Sequence, residues 1–581
     1  MKTKRFLWLV ALILSFALVL AACAGDGEVE PEDDSEPDTE TETETDTDTD
    51  EDSTDDSATE DTSGEDDIVL AVSSDLVSLD PHGNNDVPSS NVRSNIYETL
   101  VKQDENMEII EGLAESWEPV DDTTWKFTLR EGVTFHDGTA FTANDVKANL
   151  ERVSDPARAS ERAFLYDMIT EVTVESDFEV LITTEYPFAP LLAHLAHDAG
   201  GILSNSVIEA DYLQAFEEAG LEMTLEEYYE LRAEGGDEFM EVVEEISEYL
   251  GLYAAQNPVG TGYFQLESRT SGEETVLTRF DDYWGDPAKP KSVTFKVVPE
   301  PSARVAELET GYSHIADPIQ PTDLNYVDDH EETYVNIQES VSLSYVSFNV
   351  DKEPFNDPRV RQAISLAINQ EEIIDGIYQG NGIPAIGPLA PDVFGYDPDV
   401  SGLLYDPDRA RSLLEEAGYA DGFETTIWTN DNEQRVETAI YIQSVLGEYN
   451  IDVSIEELEW GAYLERTGNG EHDMFILGWS TVTGDADYGM YALLHSSNAG
   501  APGNRSFIAD DTLDELLDAG RRETDPDARL EIYREAQEHL VELAPMIYVH
   551  HQNYLTGVRN EVDGFWVDAL GIYQLKDVTL Q

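Results

Sequence analysis

Apolar and polar positions alternate along Trp125–Leu129, Val172–Val174, Val180–Thr183, Ser292–Val298 and Leu343–Asn349. A period of two, or a short apolar run rich in β-branched residues, predicts strands there. Between these runs, Asp145–Arg152, Arg359–Ile368 and Arg409–Ala417 repeat apolar residues at the three- and four-residue spacing of amphipathic helices. Some helix starts are signalled as well: Thr142-Ala143-Asn144-Asp145 resembles a capping box, and Asp357-Pro358 sets a cap residue before a first-turn proline. Asp211–Gln256 is acidic with a helical pattern and reads as an elaboration on the body. Strands interleaved with helices predict a mixed α/β class. The roughly 510 residues after the acidic run exceed one hydrophobic core, so two or three domains are expected.

The N-terminus departs from this pattern. Lys2, Lys4 and Arg5 precede an apolar run, Phe6 to Leu20, which ends at Leu20-Ala21-Ala22-Cys23. That is the layout of a cleaved secretory signal over residues 1–23, and the run is shorter than the ~20 residues of a spanning helix. Cys23 is the single cysteine of the chain, which excludes an internal disulfide and Cys-ligated metal sites. Residues 24–67 hold 23 acidic side chains and no basic one, largely as repeats such as Thr39-Glu40-Thr41-Glu42. Such a segment has nothing from which to build a core and is expected to act as an extended tether reaching at most about 145 Å.

The remaining residues, 68–581, are also acidic, with 100 acidic against 29 basic side chains and only 8 lysines. A net charge of about −71 on that body excludes nucleic acid as a partner, because counterion release needs clustered Lys and Arg. Self-repulsion of this size is largely screened at high ionic strength, which points to a protein that works in salt.

Three motifs carry a family resemblance: Ala114-Glu115-Ser116-Trp117, Trp125 to Gly138, and Phe141-Thr142-Ala143-Asn144-Asp145-Val146. Asn257 to Phe264, Asp282-Tyr283-Trp284-Gly285, Phe348-Asn349 with Pro354-Phe355, and Val360 to Ile364 follow in order. Together they resemble the peptide and nickel solute-binding proteins of ABC importers, family 5, over essentially all of 68–581, nearest the glutathione and oligopeptide branch. Leu20-Ala21-Ala22-Cys23 likewise resembles a lipobox, which implies diacylglyceryl modification of Cys23 and extracytoplasmic anchoring to the cell membrane, at its outer face or in a periplasm where an outer membrane exists.

The resemblance implies a two-lobed periplasmic-binding-protein-like α/β fold (class II, large three-domain type), with a hinge and an interlobe ligand cleft. By analogy, residues 68–103, 257–338 and 546–581 form one domain, 104–256 a second and 339–545 a third. It further implies a monomer without cofactor, metal or catalysis, whose partners are a peptide-like solute, glutathione or an oligopeptide, and the permease subunits. A nickel chelate or an oligosaccharide as ligand, a peptide sensor and a secreted hydrolase are the alternatives.

Gly478 to Tyr488 is the segment expected to line the cleft. Where peptide-binding relatives carry an aspartate three residues after the tryptophan, to pair with the ligand's α-amino group, this chain has Val482. Trp479 is a candidate for stacking on the ligand, Ser480, Thr481 and Thr483 for donating hydroxyls, and Asp485 or Asp487 for supplying a displaced carboxylate. Arg93, His495 and Arg505 are candidates for meeting an anionic ligand.

His194 and His197 are spaced for one helix face but lack a third metal ligand, while His550-His551 would point to opposite faces of a strand. His136-Asp137 reads as part of a turn, and Gly260-Thr261-Gly262 lacks the lysine of a phosphate loop.

From the charge alone, the signal-free protein is expected to unfold at a lower temperature in 50 mM than in 2 M salt. Equal thermal midpoints in the two would refute the adaptation to salt.

Overall fold

The computed structural model describes residues 67–581 apart from Asn85 and Pro502. The signal segment, Cys23 and the acidic run up to Asp66 lie outside the described residues. Asp67–Val72, the first described strand, begins where the acidic run ends.

One eleven-stranded sheet runs through the body. Its order is Asp452–Glu457, Glu424–Thr429, Met474–Ser480, Thr333–Phe348, Met546–Arg559, Ile315–Asp317, Asp67–Val72, Ser292–Val297, Glu274–Arg279 and Phe264–Thr270, and Gly382–Pro384 also pairs with Met546–Arg559. Two of these strands are long, Thr333–Phe348 with 16 residues and Met546–Arg559 with 14. They pair antiparallel from Thr333↔Arg559 to Glu339↔Asn553, lose register, and pair again from Leu343↔His551 to Ser347↔Met546. An irregularity of this kind bends a ladder without ending it.

On one side of the break, Tyr334, Val335, Leu555 and Val558 pack with Ile68, Leu70, Ala71 and their neighbours. On the other, Leu343, Tyr345, Phe348, Met546 and Val549 pack around Phe475, Ile476 and Leu477. The molecule is thus a two-lobed α/β protein whose lobes share one sheet through these two strands.

A separate four-stranded antiparallel sheet, ordered Ala114–Pro119, Thr124–Leu129, Glu179–Thr184 and Ile169–Ser176, turns Phe127, Leu129, Val180 and Ile182 inward. These residues share a core with Val146 and Leu150 of the helix Ala143–Val153. The start of that helix is fixed by the Asp145 carboxylate, which accepts from the Thr142 backbone N–H at 2.8 Å. Asp357 likewise caps Pro358–Ala367, accepting from Arg359 N at 2.9 Å.

The acidic stretch read as an elaboration forms Asn205–Ala219, Leu225–Glu234, Asp237–Ile246 and Leu252–Gln256. It is built into the first lobe rather than laid on it. Tyr212, Phe216, Tyr228 and Phe239 share a core with Ile68 and Leu70, with the Tyr212 and Tyr228 rings 5.3 Å apart. The hydroxyls of Tyr212 and Tyr228 donate to Asp155 at 2.7 and 2.9 Å.

A buried ion group ties the same stretch to the chain's start. The Arg152 guanidinium reaches Asp80 and Asp211, each at 2.7 Å, and Arg158 reaches Asp80 at 2.9 Å. Burial by itself would raise the Asp80 pKa, but the Arg152 and Arg158 charges outweigh it and hold the carboxyl well below the usual carboxylate range.

Arg152→Met leaves the buried Asp211 without a cation and Asp80 with Arg158 alone, so a loss of about 3–5 kcal/mol is expected in urea unfolding at high salt. A loss under about 1 kcal/mol, the worth of an exposed pair, would show that this group does not hold the lobe together.

Candidate ligand-binding cavity

Strand Met474–Ser480 pairs with Thr333–Phe348 through Trp479↔Leu343 and Ser480↔Ser342, so its end arrives beside the register break. The chain then loops through Thr481–Ala486 into a short π-helical turn, Asp487–Tyr491. Gly484 sits at φ +66°, and a Cβ there would fall 2.5 Å from Met107 Cε and 2.9 Å from Gln103 Nε2 of the other lobe. The backbone angle is what calls for glycine here, since the Met107 and Gln103 side-chain ends could shift.

The lobes touch along this loop. Gln103 Nε2 donates to Thr483 O at 2.8 Å, and Arg162 Nη1 donates to Tyr488 Oη at 2.8 Å. The Tyr488 ring stacks on Phe164 with centroids 6.0 Å apart. Further along, the Ala189 N–H donates to Arg521 O at 2.9 Å, and the Arg522 guanidinium lies 4.3 Å from the Tyr186 ring centroid. The lobes are therefore closed on each other.

Between them lies a cavity of about 340 Å³. Its walls come from residues between Val87 and Gln103, from Arg162, from Ala196–Gly201, and from residues between Gly564 and Asp577, while the facing loop contributes Val482. Eight charged side chains line it, four basic (Arg93, Lys102, Arg162, Lys576) and four acidic (Glu98, Asp198, Asp568, Asp577). In a body with 100 acidic against 29 basic groups, this balance is a local concentration of positive charge.

Several of these charges are already engaged. Arg93 pairs with Asp198 at 2.6 Å, Lys102 with Glu98 at 2.7 Å and Asp577 with Lys289 at 3.4 Å. Glu98 also accepts from Tyr283 Oη and Trp284 Nε1, each at 2.8 Å. Its burial would raise its pKa, and the Lys102 charge with these donors lowers it instead. The Asp568 carboxylate is aimed by its own turn, with Oδ1 accepting from Leu570 N and Ile572 N at 2.9 Å and Oδ2 from Gln574 Nε2 at 3.1 Å. Burial pushes its pKa up to about 6. His197 is held neutral at pH 7, its pKa lowered to about 4 by burial first and by the nearby Arg162 and Arg93 charges, against the opposing pull of Asp198.

Of the residues singled out from sequence, Arg93 and Val482 meet at this cavity. Trp479 stacks on Tyr488, with centroids 5.3 Å apart, and its Nε1 donates to Tyr488 O at 3.2 Å. Its ring packs against the cores of both lobes. Ser480 is half-buried, whereas Thr481 and Thr483 are buried with hydroxyls that find no hydrogen-bond partner.

Asp485 is held through both oxygens by Arg529, at 2.6 and 2.7 Å, and Asp487 lies 2.8 Å from Arg521. Asp485 and Arg529 border a second recess of about 520 Å³, and Gln103 lines both spaces. His495 and Arg505 stand outside the cavity lining. His495 stacks on Tyr491 at 4.3 Å with Nδ1 2.7 Å from Ser497 Oγ, and Arg505 is buried in the second lobe.

Lys102, Arg162, Asp568 and Lys576 were not singled out from sequence. For the two lysines a signal existed: with only 8 lysines in the body, each one is worth locating.

His194 Nδ1 lies 2.8 Å from Leu165 O, His136 Nε2 2.9 Å from Gly262 O, and His551 Nδ1 3.2 Å from Ser342 O, whereas buried His550 has no hydrogen-bond partner and packs its ring 4.2 Å from that of Tyr378. No helix among the described residues is long and apolar enough to cross a membrane.

Known proteins share this architecture. Residues 108–501 match the family described as bacterial extracellular solute-binding proteins, family 5 Middle. The glutathione-binding protein GsiB of Escherichia coli K12 is 30% identical over 525 residues, 89% of this chain and 94% of that protein. Among solved structures, the periplasmic binding protein DppA of Helicobacter pylori, in complex with the peptide STSA, is 30% identical with a TM-score of 0.71, covering 88% of this chain and 98% of that one. HbpA2 of Haemophilus parasuis is 25% identical with a TM-score of 0.75, covering 89% and 100%. The chain belongs to the bacterial extracellular solute-binding proteins of family 5, the substrate-binding components of peptide-type ABC importers.

Proposed function

We propose that the protein captures glutathione or a short peptide outside the cell and delivers it, unaltered, to the membrane subunits of the importer. The observation that carries this reading is the interlobe cavity, where four basic groups balance four acidic ones although the body is overwhelmingly acidic. Its volume of about 340 Å³ stands at the low end of the roughly 300–1,000 Å³ of ligand pockets, which suits a ligand of two or three residues.

The name of the E. coli relative and the peptide bound to the H. pylori relative support the same class of ligand. Val482 presents a hydrocarbon surface where an α-amino partner would stand in related peptide binders, which favours an unusual peptide over an ordinary one. Binding energy need only favour the closed arrangement of the lobes over an open one. The second recess, reached past Gln103, favours longer oligopeptides as the alternative ligand.

In this reading Cys23 carries the lipid anchor, residues 24–67 are the tether, and the protein acts as a monomer. The first lobe then consists of residues 68–103, 257–338 and 546–581 together with 104–256, and the second lobe of 339–545. Trp479, Ser480, Thr481 and Thr483 act by forming the lobe contact around the ligand.

Isothermal titration of the signal-free, tether-free protein in 2 M salt, against reduced glutathione, oxidised glutathione and a pool of di- to pentapeptides, tests this. Saturable binding of glutathione or of short peptides is expected. Heat from the longer peptides alone would move the site to the second recess, and turnover of any bound peptide would end the non-enzymatic reading.

A further inference from the structure

Within the cavity, three of the eight charges are left without an opposite charge from the protein. Glu98, Asp198 and Asp577 have Lys102, Arg93 and Lys289 as partners. Among the described residues, Asp568 has no basic partner, and Arg162 and Lys576 have no carboxylate partner. Arg162 donates to the neutral Tyr488 hydroxyl, and Lys576 lies 5.4 Å from the centroid of the Tyr283 ring. All three side chains line the same cavity.

Resting on the proposed function, we infer that Asp568 receives the ammonium group of the ligand while Arg162 and Lys576 receive two separate carboxylates, so the site selects small peptides carrying one positive and two negative charges. Charged groups taken out of water are stable when paired, and a cavity that leaves two cations and one anion unpaired is complementary to a ligand of the opposite pattern. Glutathione has that pattern, with one α-ammonium, one α-carboxylate and the glycine carboxylate. An ordinary tripeptide of neutral side chains has one charge of each sign and leaves a cation unmatched.

Asp568 is also pre-oriented, since its carboxylate is fixed by the Leu570 and Ile572 N–H groups and by Gln574 rather than by a rotatable contact. Its pKa, pushed up to about 6, accords with a carboxylate short of counter-charge. The position also accounts for Val482, because an ammonium group bound from the first lobe needs no acid on the facing loop.

The test pairs changes in the ligand with changes in the protein, measured by titration calorimetry in 2 M salt. On the unaltered protein, N-acetylglutathione, the glycine monoethyl ester of glutathione, and Ala-Ala-Ala are each expected to bind about 30-fold or more weakly than glutathione. Asp568→Asn keeps an oxygen for the two backbone N–H groups, so its thermal midpoint should hold. It should weaken glutathione by a similar factor but leave the N-acetyl derivative unchanged. Arg162→Gln and Lys576→Gln should each weaken glutathione, and one of the two should have no further effect on the monoester.

Equal binding of glutathione and Ala-Ala-Ala overturns the inference without any variant. So does glutathione binding that Asp568→Asn leaves untouched, or an equal loss for both ammonium-bearing and acetylated ligands. If the unaltered protein binds neither glutathione nor short peptides, the proposed function falls and takes this inference with it.

Discussion

The pairing of Thr333–Phe348 with Met546–Arg559 is the constraint from which the rest of the structure follows. Both lobes take their central strands from this one ladder, and the ladder changes register twice, between Glu339 and Leu343 and again between Ser344 and Tyr345. Met474–Ser480 adds to it with Ser480 opposite Ser342, so the loop bearing Val482 leaves the sheet beside the break. The segment bearing Asp568 and Lys576 follows the partner strand. A slip of one residue would turn every side chain to the other face and dissolve both walls of the cavity together. The site is therefore as precise as the register.

Scarcity of positive charge is the second organising fact. Eight arginines are buried, Arg93, Arg152, Arg162, Arg304, Arg361, Arg505, Arg529 and Arg559, whereas no lysine is buried among the described residues. A planar guanidinium meets several acceptors in fixed directions and tolerates partial dehydration better than an ammonium. Arg304 shows the use: its Nη atoms donate to the carbonyls of Val298 and Pro299, each at 2.8 Å, and of Pro318 at 3.0 Å, tying a helix to two loops without any carboxylate. Arg361 does the same in the second lobe, bonding Phe355 O and the Leu543 and Ala544 carbonyls. Every buried Lys or Arg among the described residues is thus an arginine, eight of the body's 29 basic side chains, and Arg304 and Arg361 serve as interior fasteners.

Local patterns were legible in the sequence where local forces decide. The strands Thr124–Leu129 and Ser292–Val297 and the helix Pro407–Ala417 lie where the period of apolar positions puts them. Family motifs supplied the two-lobed fold, which periodicity alone does not reveal. The first half of the long strand Thr333–Phe348 was missed: Val335-Asn336-Ile337-Gln338 alternates, but Glu339 interrupts the pattern, and the segment is held by its ladder with Met546–Arg559.

The site was half legible for a related reason. Asp485 and Asp487 could be seen as carboxylates in a functional loop, but their partners Arg529 and Arg521 stand 44 and 34 residues further on, on other helices. Arg93, a candidate from sequence, lines the cavity, and only the structure reveals that Asp198 already holds it. Which charges are spent within the protein and which remain for a ligand is a property of three-dimensional neighbours.

The evenly charged cavity inside an acidic shell also separates two dependences on the medium. Ions that crowd around the exterior screen carboxylate from carboxylate and favour the compact chain, while contact pairs enclosed between lobes are screened much less. In the reading proposed above, salt that favours the compact chain would leave the recognition of a charged solute nearly intact, where an exposed site would lose it.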